Sequence, residues 1–458
     1  MKPSRVRFDR CRLAWLTHGI ARGVAVALLG GIGWSGGVNE ARAGAADNPS
    51  SMRVTNVTLT PRDAATATIT FDITWNDSWR HEVNHDAAWV FFKARPAGAT
   101  EWQHVRLAAD KVTSPRGFGQ AAGGTRVELC VPDGSDGFTG LFVRRAEYGW
   151  GTVKATGVTA VWDLSSAKGV TPTTKVDLQG FGIEMVFVPE GPFELGGGSA
   201  RNRFHLSTNS GDHGIPYRVT GPGAIPTGRQ PGKLWARTGC QPEDNSEIPA
   251  AFPNGYAALY CMKKSVIGVH YAAFLNAIPL ERVETSALIP VGAGIMGRSE
   301  SDAGPVFKAA DDAGGYRNVH GLTWACGATF AAWAGLRPMT ELEFEKIIRG
   351  PITSGWQTGD EVDHPSYWGV TTINGWRTGF ERAVTIDNAT GRRFRGSHGL
   401  GTATLPADWP QEDGVGVGIR GGYAVDSDPS SRSRVDQSTP KTHDSFRGVR
   451  TAPKDVGL

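Results

Sequence analysis

The stretch Val319-His320-Gly321-Leu322-Thr323-Trp324-Ala325-Cys326-Gly327-Ala328-Thr329-Phe330-Ala331-Ala332-Trp333-Ala334-Gly335 runs directly into Leu336-Arg337-Pro338-Met339-Thr340-Glu341-Leu342-Glu343-Phe344-Glu345-Lys346. The first part reads as a buried helix stopped by Gly335, because glycine reaches the left-handed backbone that ends helices at no steric cost. Cys326 falls on that helix, where a small inward-facing residue is ordinary. In the second part Thr340 can cap a new helix whose third residue, Glu343, completes a capping box. The abundance of glycine and proline, 61 and 27 residues, argues for a loop-rich, turn-punctuated architecture with short elements.

Outward from there, Phe181-Gly182-Ile183-Glu184-Met185-Val186-Phe187-Val188-Pro189-Glu190-Gly191-Pro192-Phe193-Glu194-Leu195-Gly196 reads as an apolar strand, a turn and a short return. Gly255-Tyr256-Ala257-Ala258-Leu259-Tyr260-Cys261-Met262-Lys263 is another strand. Tyr271-Ala272-Ala273-Phe274-Leu275-Asn276 begins a helix burying Tyr271, Phe274 and Leu275. The closing stretch runs from Arg420-Gly421-Gly422-Tyr423 through Ser433-Arg434 to Phe446-Arg447-Gly448-Val449-Arg450.

These ordered blocks, over residues 178–453, resemble the formylglycine-generating-enzyme (sulfatase-modifying-factor) family. The run from Leu336 to Glu345 is similar to its Arg-Leu-Pro-Thr-Glu-Ala-Glu-Trp-Glu signature. The resemblance implies a C-type-lectin-like α+β domain. It also implies a pair of cysteines in the closing segment that hold copper and activate oxygen, and here the sequence departs from the family. Residues 424–431 read Ala-Val-Asp-Ser-Asp-Pro-Ser-Ser, and no cysteine follows Cys326. A Cu(I) site needs thiolate or thioether ligands. His398 and His443 stand isolated, so the histidine cluster of the related iron enzymes has no counterpart either. The family's Gly-Asn-Val-Trp-Glu calcium segment is altered to Asn374-Gly375-Trp376-Arg377-Thr378-Gly379-Phe380-Glu381-Arg382, which leaves calcium as the one cofactor still open.

The expectation is therefore a binding protein. Residues 424–445 are rich in Ser, Asp, Thr and Arg between two framework pieces, and short polar side chains form several hydrogen bonds at little entropic cost. The ligand-binding residues expected there are Tyr423, Asp426, Asp428, Arg432, Arg434, Asp436, Lys441 and His443. Trp376 and Trp409, with Tyr423, are the aromatic rings on which a glycan would stack. The partner expected is a protein or a glycan, and exposed substitutions at Asp426, Asp428, Arg432 and Arg434 are expected to leave stability nearly unchanged. Two alternatives remain open: an oxidoreductase of the family with a rearranged metal site, and a diversity-generating-retroelement target protein whose segment 424–445 varies.

Residues 52–165 read differently. Ala67-Thr68-Ile69-Thr70-Phe71-Asp72-Ile73-Thr74-Trp75 alternates, with Ile69, Phe71, Ile73 and Trp75 on one face, and further strands follow at 88–93, 126–130, 140–144 and 158–162. Short strands at this spacing predict a separate β-sandwich domain, with a Ser/Lys/Gly/Thr/Pro linker over 166–177. Within it, His81-Glu82-Val83-Asn84-His85 matches the HExxH zinc pattern, which works only when a helix sets both imidazoles one turn apart. Between two strand-like runs it reads as a polar loop.

Residues 1–43 carry a basic start (Lys2, Arg5, Arg7, Arg10, Arg12), an apolar stretch too short to span a bilayer, and Ala41-Arg42-Ala43 before Gly44. This predicts a signal peptide and a secreted, periplasmic or cell-surface protein with no stable membrane span. Export would leave Cys130, Cys240, Cys261 and Cys326, enough for two disulfides in three connectivities. A net charge of +3 over 458 residues gives no support for a nucleic-acid partner.

Overall fold

A computed structural model of the chain describes residues 52–121, 123–132, 137–198, 200–209, 214–236, 241–290, 296–299, 306–309, 318–352, 366–371, 380–421, 428–435 and 444–454. The expected signal peptide, 1–43, lies outside them. The protein is of the β-rich α+β class. No helix among the described residues is long and apolar enough to cross a membrane.

The N-terminal block contributes β1 (Arg53–Pro61), β2 (Thr66–Arg80), β3 (Asp86–Pro96), β4 (Gln103–His104), β5 (Gly119–Gln120), β6 (Val127–Cys130), β7 (Leu141–Arg145) and β8 (Gly149–Asp163). A four-stranded sheet has the order β1-β2-β8-β5. Its inner face carries Ile69, Phe71, Ile73 and Trp75 from β2, as the alternation requires, all fully buried.

That face packs on an antiparallel sheet which continues through most of the molecule. In it, β6, β7 and β3 are followed by β9 (Val176–Val188) and then by strands Leu259–Met262, Gly448–Thr451 and Arg337–Pro338. The expected boundary at 166–177 is therefore not a boundary between sheets. Its last residues already belong to β9, which pairs with β3 from Asp86↔Val186 to Pro96↔Val176. Residues 45–458 form one compact unit.

The reason lies in β3, where Ala87-Ala88-Trp89-Val90-Phe91-Phe92 is buried throughout. Ala88, Val90 and Phe92 point into the core shared with β2 and β8. Ala87, Trp89 and Phe91 point into a second core with the helices. A strand apolar on both faces must be covered on both, so the sheet is the middle of three layers.

The outer layer holds α1 (Gly268–Asn276), α2 (Leu280–Thr285), α3 (Trp324–Trp333), α4 (Glu341–Arg349) and α5 (Ala389–Arg392). Thr323 caps α3 by accepting from the Cys326 N–H at 3.0 Å. Gly335 follows at φ +70°, where an added Cβ would stand 2.8 Å from Thr139 Oγ1, so the helix stop is also a point of contact between the two blocks. At α4 the capping box forms as read from the sequence: Thr340 Oγ1 accepts from Glu343 N–H at 3.1 Å, and Glu343 accepts from Thr340 N–H at 2.9 Å.

Side chains lock the layers together. Trp89 Nε1 donates to Ala334 O at 2.7 Å, and Arg450 lies 4.2 Å over the Trp89 ring. Lys93 Nζ donates to Trp333 O (2.8 Å) and Gly401 O (2.7 Å) and meets His104 Nδ1 at 2.9 Å. His104 Nε2 meets Thr139 O at 2.6 Å, which fixes the neutral tautomer with the proton on Nε2. Burial, aided by Lys93, holds the His104 pKa well below its ordinary value.

Candidate functional site

Helix α4 is buried on every side although five of its nine residues are charged. An unpaired buried charge is costly, so each must find a partner, and the partners come both from neighbouring positions and from distant segments. Glu343 receives Arg337 in a bidentate pair at 2.9 and 2.7 Å. Glu341 receives Arg420 Nη1 at 2.9 Å, Arg432 Nε at 2.8 Å and Nη2 at 3.1 Å, and the Ile386 N–H at 2.9 Å. Glu345 receives Arg420 Nη2 at 2.7 Å, Gly196 N–H at 2.7 Å, and Arg349. Burial alone would raise the Glu341 pKa, but Arg432 and Arg420 outweigh it and hold the carboxyl below its usual range. Lys346 donates to Tyr256 O at 2.9 Å, and burial brings its pKa down to about 7.

A second buried pair closes the chain. Arg447 Nε donates to Glu381 Oε1 at 3.1 Å, and its other nitrogens bond Met262 O, Lys263 O and Thr371 O at 2.7–3.0 Å. Ser265 Oγ donates to the same Glu381 oxygen at 2.9 Å. Phe446 lies against α3, where Gly327 leaves the room: a Cβ there would come within 2.2 Å of the ring. The described parts of the closing segment thus form a frame. Arg420 precedes residues 422–427, Asp428–Val435 stands between, and Ser445–Arg450 follows residues 436–443.

The expected binding residues divide accordingly. Arg432 is not on a polar face: it is 1% exposed, paired with Glu341, and stacked 4.0 Å over Phe204. Trp409 is 2% exposed, with Nε1 donating to Ser397 O at 2.9 Å, so its ring belongs to the core and offers no glycan a surface. Asp428 works as a turn fastener, accepting from Ser430 N–H (2.9 Å), Ser430 Oγ (2.6 Å) and Ala200 N–H (2.8 Å). Arg434 is half-buried, and its carbonyl accepts from Ile419 N–H at 2.9 Å. Tyr423, Asp426, Asp436, Lys441, His443 and Trp376 lie outside the described residues, as does most of the altered calcium segment. Glu381, within that segment, is committed to Arg447.

Sequence reading missed the carboxylates. One signal was available: Glu341, Glu343 and Glu345 alternate with Leu342 and Phe344 on one short helix, too many acids for one solvent face. The arginines of the closing segment are their complement.

Two further expectations are settled by position. In the HExxH pentad, the residues form a non-helical connection between β2 and β3. His81 Nδ1 accepts from Val83 N–H at 3.1 Å, while His85 is buried, stacked on Phe187 and 3.0 Å from Tyr260 OH, so the imidazoles serve separate structural ends. Among the described residues no disulfide joins Cys130, Cys261 and Cys326. Cys261 and Cys326 are buried thiols in different cores, donating to Met262 O and Ala287 O, and burial pushes the Cys261 pKa up to about 12. Cys130 is also buried, and Cys240 lies outside the described residues.

Beside the closing strand lies a cleft of about 670 Å³ between Pro132 of the N-terminal block and the loop carrying Arg395, Ser397, His398 and Asp408. Several of its polar atoms are engaged by the chain itself. Asp408 accepts from Arg395 N–H at 2.9 Å and from Ser397 Oγ, and His398 Nε2 accepts from Thr451 N–H at 3.1 Å.

No protein-family model matches this chain, and no curated protein matches it in sequence.

Proposed function

We propose that this is an exported recognition protein built on a C-type-lectin-like domain of the formylglycine-generating-enzyme type, and that it binds a protein or glycan ligand without catalysing a reaction. The observation that carries the reading is the frame around the closing segment. Residues 436–443 are polar and residues 422–427 carry Tyr423, Asp426 and Ser427, and each stretch is bounded on both sides by residues held through buried ion pairs, hydrogen bonds or strand pairing. A rigid scaffold carrying variable-length polar connections is how binding loops are commonly positioned. The segment also lacks the thiols that copper chemistry would need.

The frame favours a narrower binding surface than the whole of 424–445. Residues 428–435 are spent on structure, which leaves Tyr423, Asp426, Asp436, Lys441 and His443 as the recognition residues. Should the segment be diversified by a retroelement, substitutions would fall in 422–427 and 436–443 and spare Arg432.

A glycan array and a display library of extracellular proteins, probed with the mature chain, test the proposal. Expected is a ligand whose binding is lost in the Asp426→Ala, Lys441→Ala, His443→Ala triple variant while the melting temperature holds. A ligand bound equally well by the triple variant would overturn the assignment, as would a triple variant that unfolds.

A further inference from the structure

At the far end of the four-stranded sheet, residues 146–151 read Ala-Glu-Tyr-Gly-Trp-Gly and turn the chain from β7 into β8. Trp150 is 72% exposed and Tyr148 is 60% exposed, the two most exposed large apolar side chains among the described residues. Along β8, Trp150, Thr152 and Lys154 are exposed while Val153 and Ala155 are buried, so Trp150 stands on the outer face of the sheet.

The glycines on either side of Trp150 give the arrangement its shape. Gly149 (φ +143°) and Gly151 (φ +133°) take backbone conformations that side chains rarely adopt. A Cβ at Gly151 would meet nothing within 4 Å, and one at Gly149 only the tip of Arg145 at 3.9 Å. The space beside the indole is therefore open. Arg80 lies 5.7 Å over one face of the Tyr148 ring, and polar groups stand on neighbouring positions: Glu147, paired with Arg126 at 3.4 Å, precedes Tyr148, and Thr152, two residues past Trp150, donates through Oγ1 to Asn76 Oδ1 at 3.0 Å.

We propose that this hairpin tip is a sugar-stacking platform for a β-1,4-linked pyranose chain of the glucose or N-acetylglucosamine type. Such chains carry their ring substituents equatorially, so each unit has a flat C–H face that lies on an aromatic ring while its hydroxyls meet polar groups at the rim. An open tip without side walls suits the middle of an extended chain. The size of the patch separates this occupant from others. Two aromatic rings cover at most about 300–500 Å², well short of the roughly 800 Å² per partner of a stable protein interface. The platform is independent of the closing segment, and its fate does not bear on that reading.

Isothermal titration of the full-length mature protein with cellohexaose and with chitohexaose tests it and separates the two sugars. At least one should bind saturably at millimolar concentration or below. Trp150→Ala should weaken that binding by at least about tenfold, and Tyr148→Ala by a smaller factor. Both variants should melt with wild type, since neither ring is buried. Binding of neither hexaose, or undiminished binding by Trp150→Ala, would overturn the proposal. So would co-sedimentation with phosphatidylcholine vesicles that Trp150→Ala abolishes.

Discussion

Arg432 and Glu341, 91 residues apart in the chain, meet through two hydrogen bonds of 2.8 and 3.1 Å in the fully buried interior beneath the closing segment. Removing Arg432 takes two of the four hydrogen bonds from the buried Glu341 carboxylate and leaves Arg420 as its one neighbouring cation. Arg432→Ala is therefore expected to destabilise the protein by about 3–5 kcal/mol, whereas Asp426→Ala should be nearly silent. Chemical denaturation of the two variants measures this. An Arg432→Ala protein as stable as wild type would show that the pair is dispensable.

The continuous sheet makes a prediction about fragments. Cut at residue 170, the C-terminal piece loses the strand that pairs with all of β9 from Val176 to Val186, and with it Ala87, Trp89 and Phe91 from its core. Losing Trp89 and Phe91 costs about 3–5 kcal/mol each, an amount comparable to the ordinary 5–15 kcal/mol of a folded protein. Residues 171–458 expressed alone should lack a cooperative melting transition. A sharp transition in that fragment would establish an autonomous domain.

His104 supplies a test of pH dependence. Its folded pKa is depressed by burial, so below about 6.5 the unfolded chain takes up a proton that the folded protein refuses. Stability conferred by the neutral ring is complete above 6.5 and is lost as pH falls. His104→Gln keeps an acceptor for Lys93 and a donor for Thr139 O but does not titrate. Relative to that variant, wild type should lose up to about 1.4 kcal/mol per pH unit below 6.5. Parallel stability profiles for the two proteins between pH 7.5 and 5 would contradict it.

Absence of the closing-segment thiols predicts no conversion of cysteine to formylglycine. A sulfatase-type peptide incubated with the protein, copper and oxygen should keep its mass and its thiol. Appearance of the aldehyde would revive the oxidoreductase with a rearranged site.

Much of the local structure was legible from the chain alone. The alternation from Ala67 to Trp75 set which residues of β2 face a core, Thr340 and Glu343 specified the capping box, and Gly335 marked the end of α3, because each depends on neighbours a few residues away. Composition suggested a linker at 166–177, but it could not show that Trp89 and Val90 of one strand enter different cores, or that β3 pairs with β9 on the far side of that stretch. The same limit made Arg432 look like a surface residue. Its sequence neighbours are serines, and only the tertiary fold brings Glu341 and Phe204 against it, turning a polar-looking loop position into a buried ion pair.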